Sequence, residues 1–329
     1  MLKIIKSPKI LADIAAFFAL LFVAMMISVN KKYQIAVLDG ISLWSGAILP
    51  AMFPYLIITT LLSSLKSTAK IPRLLSPVTT RFFNVNGNVG FALFISLMCG
   101  YPVGAKCVSD LKNHNLIGEA ESVRAATLCS SSSPVFLIAS VGNLTFGNPV
   151  FGLLLFLTHL ISVLTVGFIF SFYKKSEKPK ELFNKKNAEN GGDLFYDSVY
   201  SAVISILVVG GIIAIFYLLT EILADLGVIK ILAGILGFIT DEKAVTDGVA
   251  NGIFECTKGL KILAIGGISL FTLPVAAAIC GFGGISVIMQ SLAYLKKAQI
   301  KTAPFLLSKT LAAVISFIFG LIISAIFLA

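Results

Sequence analysis

The sequence predicts an all-α polytopic membrane protein, and three observations carry that prediction. Hydrophobic residues make up 57% of the 329 and charged residues only 13%, well below the roughly 25% charged residues of a soluble domain. Several apolar runs approach or exceed the roughly 20 residues that cross a bilayer core as helix. The period-2 alternation of a membrane barrel is absent. The primary partner is therefore the lipid bilayer. A net charge of +10 would suggest nucleic acid in a soluble chain, but most Lys and Arg lie between the apolar runs, where they set orientation. No nucleic-acid partner is expected.

The first element, residues 1–30, has a basic start followed by an apolar stretch from Ile10 to Val29. That stretch is longer than the roughly 7–15 residues of a signal-peptide core, and no A-x-A site follows, so it reads as a retained transmembrane helix. Candidate membrane segments follow at 36–65, 88–113, 119–143, 148–173, 197–224, 245–265, 267–296 and 303–328. Between them, "KKSEKPKELFNKKNAENGGD" (174–193) is polar, lysine-rich and broken by Pro179, Gly191 and Gly192. It splits the chain into a first repeat at 36–173, a linker at 174–196 and a second repeat at 197–329.

The halves match in order. The run from Asp39 aligns with that from Asp197, Cys99 falls on Cys256, Cys129 on Cys280, and Asn148 on Ala303, at shifts of 151 to 158. Basic residues place the N-terminus (Lys3, Lys6, Lys9) and the linker in the cytoplasm. With the linker inside, the first helix of the second half runs outward while its counterpart from Ala36 runs inward. This is the charge pattern of two inverted-topology repeats with broken helices and re-entrant hairpins, a common plan of secondary transporters.

Four interruptions within apolar surroundings are the candidate site. "CGYPVGAKC" (99–107) places Gly100, Tyr101, Pro102, Gly104 and Lys106 where helix interiors and hydrocarbon reject them. Proline frees backbone carbonyls, which lipid tolerates only against protein or a water-filled cavity. A packing kink with Lys106 snorkelling to an interface is the alternative. "CSSSSPVF" places the hydroxyls of Ser130, Ser131, Ser132 and Ser133 before Pro134, which suits a helix start whose free amides attract anions. "FECTKGLK" carries Glu255 and Thr257. An intramembrane carboxylate is a functional hypothesis by default and a natural proton or cation coupling group, although Lys258 and Lys261 lie about one turn away and are possible ion-pair partners. "CGFGGISVIMQ" supplies Gly283 and Gly284 for close backbone approach, with Ser286 and Gln290 as donors and acceptors, although glycine is also ordinary packing material between membrane helices.

No HExxH or GxxxxGKS occurs, and no catalytic residue, metal ligand set or cofactor is assigned; the chain is not expected to be an enzyme. His159 reads as an interhelical hydrogen-bonder, and the five cysteines as membrane-buried thiols.

"LPAMFPYLI", "GYPVGAK" followed by "SDL", "SSSPVFLIASVG", "GIFECTKGL" and "GFGGISVIMQ", in this order, resemble the YlbJ-like sporulation integral membrane proteins of the nucleoside-recognition (Gate) superfamily. The resemblance covers about residues 36–328. It implies a multi-pass protein of a bacterial cell membrane that moves a small organic anion, dipicolinate-like or nucleoside-like, with inverted halves and a path lined by the four interruptions. The family usually has Asn and Gly where this chain has Ser130 to Ser133, and Met where it has Cys256. The residues and the resemblance together predict a secondary transporter with substrate contacts from Tyr101 through Gln290 and coupling at Glu255. A homo-oligomer is compatible with this plan. The competing readings are a membrane scaffold or assembly factor in sporulation, a soft-metal transporter using the cysteines, and an intramembrane hydrolase.

Overall fold

The computed structural model describes Val23 and residues 30–64, 70–175, 177–179 and 194–327. The expected N-terminal helix and most of the linker lie outside the described residues, which contain helices and no strand. In the first half the chain forms α1 (Asn30–Leu43), a π-helical run at Trp44–Ile48, α2 (Leu49–Ser64), α3 (Lys70–Phe83), α4 (Gly87–Cys99), α5 (Val103–Asn113), α6 (Glu119–Leu128), the π-helical α7 (Val135–Thr145) and α8 (Pro149–Phe170). In the second it forms α9 (Leu194–Asp225), α10 (Val228–Leu236), α11 (Lys243–Gly252), α12 (Cys256–Ile265), α13 (Thr272–Phe282), α14 (Gly284–Lys297) and α15 (Thr302–Phe327).

Four stretches are long and apolar enough to cross a membrane: α8, α9, α13 with α14 across Gly283, and α15. Counting each bent pair as one span raises this to six, and one of those pairs, α3 with α4, turns through 91°. The spans turn large apolar residues outward and bury polar ones beside their apolar contacts, which a soluble fold does not do. On α8, Leu153, Leu157 and Ile161 are exposed whereas Thr158, His159 and Ser162 are buried; on α15, Leu307, Val314 and Ile318 are exposed whereas Ser308, Lys309 and Ser316 are buried. Water would not stabilise such a surface, and hydrocarbon does.

The same order of elements recurs on either side of the linker. A long helix is followed by a short one, then by two pairs of short helices each split by a break, then by a second long helix. Contacts between the halves also come in matched pairs. Helices α1 and α2 pack on α9, and α8 packs on α15; α5 meets α14 while α12 meets α7; α6 meets α15 while α13 meets α8.

Each break has a local cause. Asn86 starts α4 by accepting from the amides of Asn88 and Val89 at 3.0 and 3.4 Å. Helix α4 stops at Gly100, whose φ of 77° suits only glycine without strain and whose amide still reaches Ser96 O at 2.8 Å. In α6 the Glu121 carboxylate closes the first turn by accepting from Gly118 N at 3.2 Å, and also accepts from Asn86 N at 2.8 Å, joining two helix starts. Arg124, buried in α6, donates to the carbonyls of Tyr173 and Glu177 at 2.9 Å each and of Lys174 at 3.2 Å, tying down the chain beyond α8. Helix α13 stops at Gly283, φ 82°, and α14 begins in the next residue.

Two expectations need correcting. The third interruption, read from the sequence at 256–259 within "FECTKGLK", falls at 253–255, because the Glu255 side chain caps a helix that starts at Cys256. Residues 66–86 and 225–244, the connections between candidate membrane segments, contain α3 and α10. In α3, Leu74, Val78 and Phe82 recur every four residues on one exposed face, the spacing of an amphipathic helix.

Candidate functional site

All four breaks reach one cavity of about 70 Å³. Cys99, Gly100 and Tyr101 come from the first break, Ser132 and Ser133 from the second, Glu255, Cys256 and Thr257 from the third, and Gly283 with Val287 and Gln290 from the fourth. Ile48 and Met52, at and just beyond the π-helical run, and Val209 and Ile213 of α9 close it with apolar surface. The volume leaves room for a few water molecules. A second cavity, of about 270 Å³, shares Phe136 and Thr257 with the first and has Lys261 in its wall.

Glu255 is 2% exposed. Its carboxylate accepts from the amide of Lys258 at 2.7 Å and from the hydroxyl of Thr257. Because Thr257 gives its proton to Glu255, the Tyr217 hydroxyl at 3.2 Å is the donor to Thr257. The result is a directed chain from Tyr217 to Thr257 to Glu255. The possible ion pairing of Glu255 with its neighbouring lysines is not seen: Lys258 bonds Glu221 at 2.5 Å and Thr220 at 2.8 Å, and the Lys261 ammonium stands 5.8 Å from the centre of the Tyr217 ring. Glu221 also pairs with Lys32 at 3.3 Å, and Lys32 with Asp225 at 2.5 Å. A charge network thus joins α1, α9 and α12 beside the site.

The serine run is buried throughout. Ser131 donates to Ser132 O at 3.0 Å, Ser133 accepts from Phe136 N at 3.2 Å, and Ser132 N donates to His159 Nε2 at 2.9 Å. His159 therefore carries its proton on Nδ1, which has no partner among the described residues, and holds a backbone amide, not a serine hydroxyl. That geometry does not activate a nucleophile. Tyr101 donates to Ser130 O at 3.2 Å.

Lys106 does not line the shared cavity. Its ammonium donates to Ser201 at 2.5 Å and to Ser205 at 3.5 Å on α9, beside a small separate void that also includes Pro102. Gly104 is a packing residue: a Cβ there would lie 1.9 Å from Cys129 O and 2.4 Å from Ser96 Oγ. Gly284 plays a similar part at the fourth break, where a Cβ would come within 3.0 Å of Cys256 N. The amides of Ile285 and Ser286 donate to the carbonyls of Ile253 and Phe254 at 2.8 and 3.0 Å, pairing the third and fourth breaks. The Ser286 hydroxyl is buried with no partner among the described residues.

The residue that sequence reasoning missed is Lys309, two turns into α15. It is 1% exposed, donates to the Tyr101 hydroxyl at 2.6 Å and to Ser130 Oγ at 3.3 Å, and sits 4.2 Å from the centre of the Tyr101 ring. A lone charge inside the apolar run 303–328 was the signal that could have found it. All five cysteines are free thiols, and among the described residues no three His, Cys, Asp or Glu side chains converge as a metal site.

These features define a multi-pass helical membrane protein in which broken helices meet at one small cavity lined by apolar surface and a few polar side chains. In sequence it is similar to the sporulation integral membrane protein YlbJ of Bacillus subtilis (strain 168), with 28% identity over 335 aligned residues that cover 94% of this chain and 82% of the relative. That similarity along nearly the whole chain supports a YlbJ-like family. No protein-family model matches the chain, and no solved structure does.

Proposed function

We propose that the chain is a secondary transporter for a small organic anion, with its substrate site in the cavity where the four breaks meet. The convergence of those breaks is the observation that carries the reading. Non-helical backbone within a membrane protein is stable only where protein or water satisfies it, and interrupted helices of this kind form transporter sites. The recurring element order and the matched contacts between the halves support an inverted repeat, with the N-terminus and linker on the cytoplasmic side as the loop charges suggest. The cavity holds only a few waters, so a dipicolinate-sized anion enters when the halves part, as alternating access demands. The directed chain ending on Glu255 supports that carboxyl as the proton-coupling group, reached from the larger cavity through Thr257. The sporulation role in the relative's name is compatible with such a permease.

The test is flux into proteoliposomes of the purified full chain, with pyridine-2,6-dicarboxylate and uridine as probes and an imposed pH gradient. Protein-dependent dicarboxylate uptake that the gradient accelerates is expected. Uptake of both probes equal to that of protein-free vesicles, with the protein folded, refutes transport as proposed.

A further inference from the structure

We propose that Lys309 is the counter-charge of a carboxylate-binding subsite at the cavity. An ammonium group withdrawn from water is costly unless an anion or a full set of acceptors compensates it. Lys309 has three N–H donors, and the two acceptors that it meets, Tyr101 and Ser130, are neutral hydroxyls. Among the described residues it forms no ion pair, although five others are found. The Tyr101 ring adds only the attraction of a neutral π face. A methionine of similar length would fill this space without the cost, so a basic group kept here suits an anion that arrives from outside the fold.

The cavity gives that anion its place. Tyr101 and Gly283 both line it and both border Lys309, since a Cβ built on Gly283 would stand 3.8 Å from the lysine Cε. Lys309 does not itself line the cavity; it stands behind Tyr101 and Gly283, and Gly283 puts no side chain between the lysine and that space. Ser132 and Ser133 face the same space beside Ser130, adding hydroxyls suited to the second carboxylate oxygen. Glu255 lines the cavity as well, and a bound carboxylate would favour its acid form. One anion together with one proton would then leave the charge of the site unchanged.

The subsite deepens the transporter reading, but binding tests it separately from flux. Detergent-purified full chain is titrated with acetate, benzoate and pyridine-2,6-dicarboxylate, and with the uncharged pyridine-2,6-dicarboxamide. Wild type is expected to bind at least one carboxylate and not the diamide. Lys309→Met should weaken that binding roughly 10- to 100-fold, the loss expected for one charge-assisted bond. Lys309→Arg should restore part of it, and Tyr101→Phe, which keeps the ring and removes the hydroxyl, should retain a Lys309-dependent response. If no carboxylate binds, or if Lys309→Met binds as wild type does while folded, the subsite is overturned. Lys309-dependent binding without flux would leave the subsite standing and refute the transporter.

Discussion

Glu255 caps α12, and substitutions can separate that cap from the proton-carrying role proposed for it. Glu255→Gln keeps an oxygen that can accept from the Lys258 amide at 2.7 Å and from the Thr257 hydroxyl. It gives up the charge-assisted part of those bonds, about 1 kcal/mol. Glu255→Ala loses the cap, about 1 kcal/mol, and strands the Thr257 hydroxyl, about 1–3 kcal/mol more. Heat denaturation in detergent should therefore order the proteins wild type, then Gln, then Ala, with the larger gap before Ala. Flux should order them differently: Gln and Ala should both lose the response to an imposed pH gradient, because neither carries a titrating carboxyl. The refuting result is a folded Glu255→Gln variant whose flux follows the gradient as wild type does, which would reduce Glu255 to a cap.

Gly104→Ala should destabilise the protein by about 2–4 kcal/mol in chemical denaturation. The added methyl meets Cys129 O at 1.9 Å and displaces the 2.9 Å bond from Ser96 to that carbonyl, combining overpacking with a lost hydrogen bond; Gly46→Ala, with nothing within 4 Å of the new Cβ, is the control that should leave stability within about 0.5–1 kcal/mol of wild type. Lys106→Ala should leave carboxylate binding intact, because the lysine is tied to Ser201 on α9 outside the cavity, and a loss like that of Lys309→Met would return it to the site. At the surface, the Lys301 ammonium 3.1 Å from Glu119 holds that carboxyl below its ordinary 4.5. Its folded form binds its proton less readily than the unfolded one, so the stabilisation is present above pH 4.5 and fades as pH falls through the lower folded value. Glu119→Gln should flatten that small part of the acid limb in a pH series of denaturation curves.

Membrane character and the places where helices break were legible because lipid makes them so. Proline, glycine and serine runs stand out against hydrocarbon, and Gly100, Ser132 and Gly283 do meet at one cavity. The third break was read a few residues late because a carboxylate in an apolar run looks like a buried charge before it looks like an N-cap. Glu255 is both, and only its contact with the Lys258 amide tells where the helix starts. The lysines were harder still. Lys106 follows a conspicuous Gly-Tyr-Pro break, so its neighbours drew attention to it, yet one turn of α5 carries it towards Ser201 on α9 and away from the cavity. Lys309 lies in unbroken helix-forming sequence, where a lone charge in an apolar run marks a buried position but does not say what it faces. Its place depends on the packing of α15 against α8, α13 and α6, which sets it beside Tyr101, a residue 208 positions earlier. A break is a local property that sequence can announce, whereas the partner of a buried charge is fixed by how distant helices pack. The lone charge at Lys309 is visible in the sequence, but its neighbours Tyr101 and Ser130 had to be found in three dimensions.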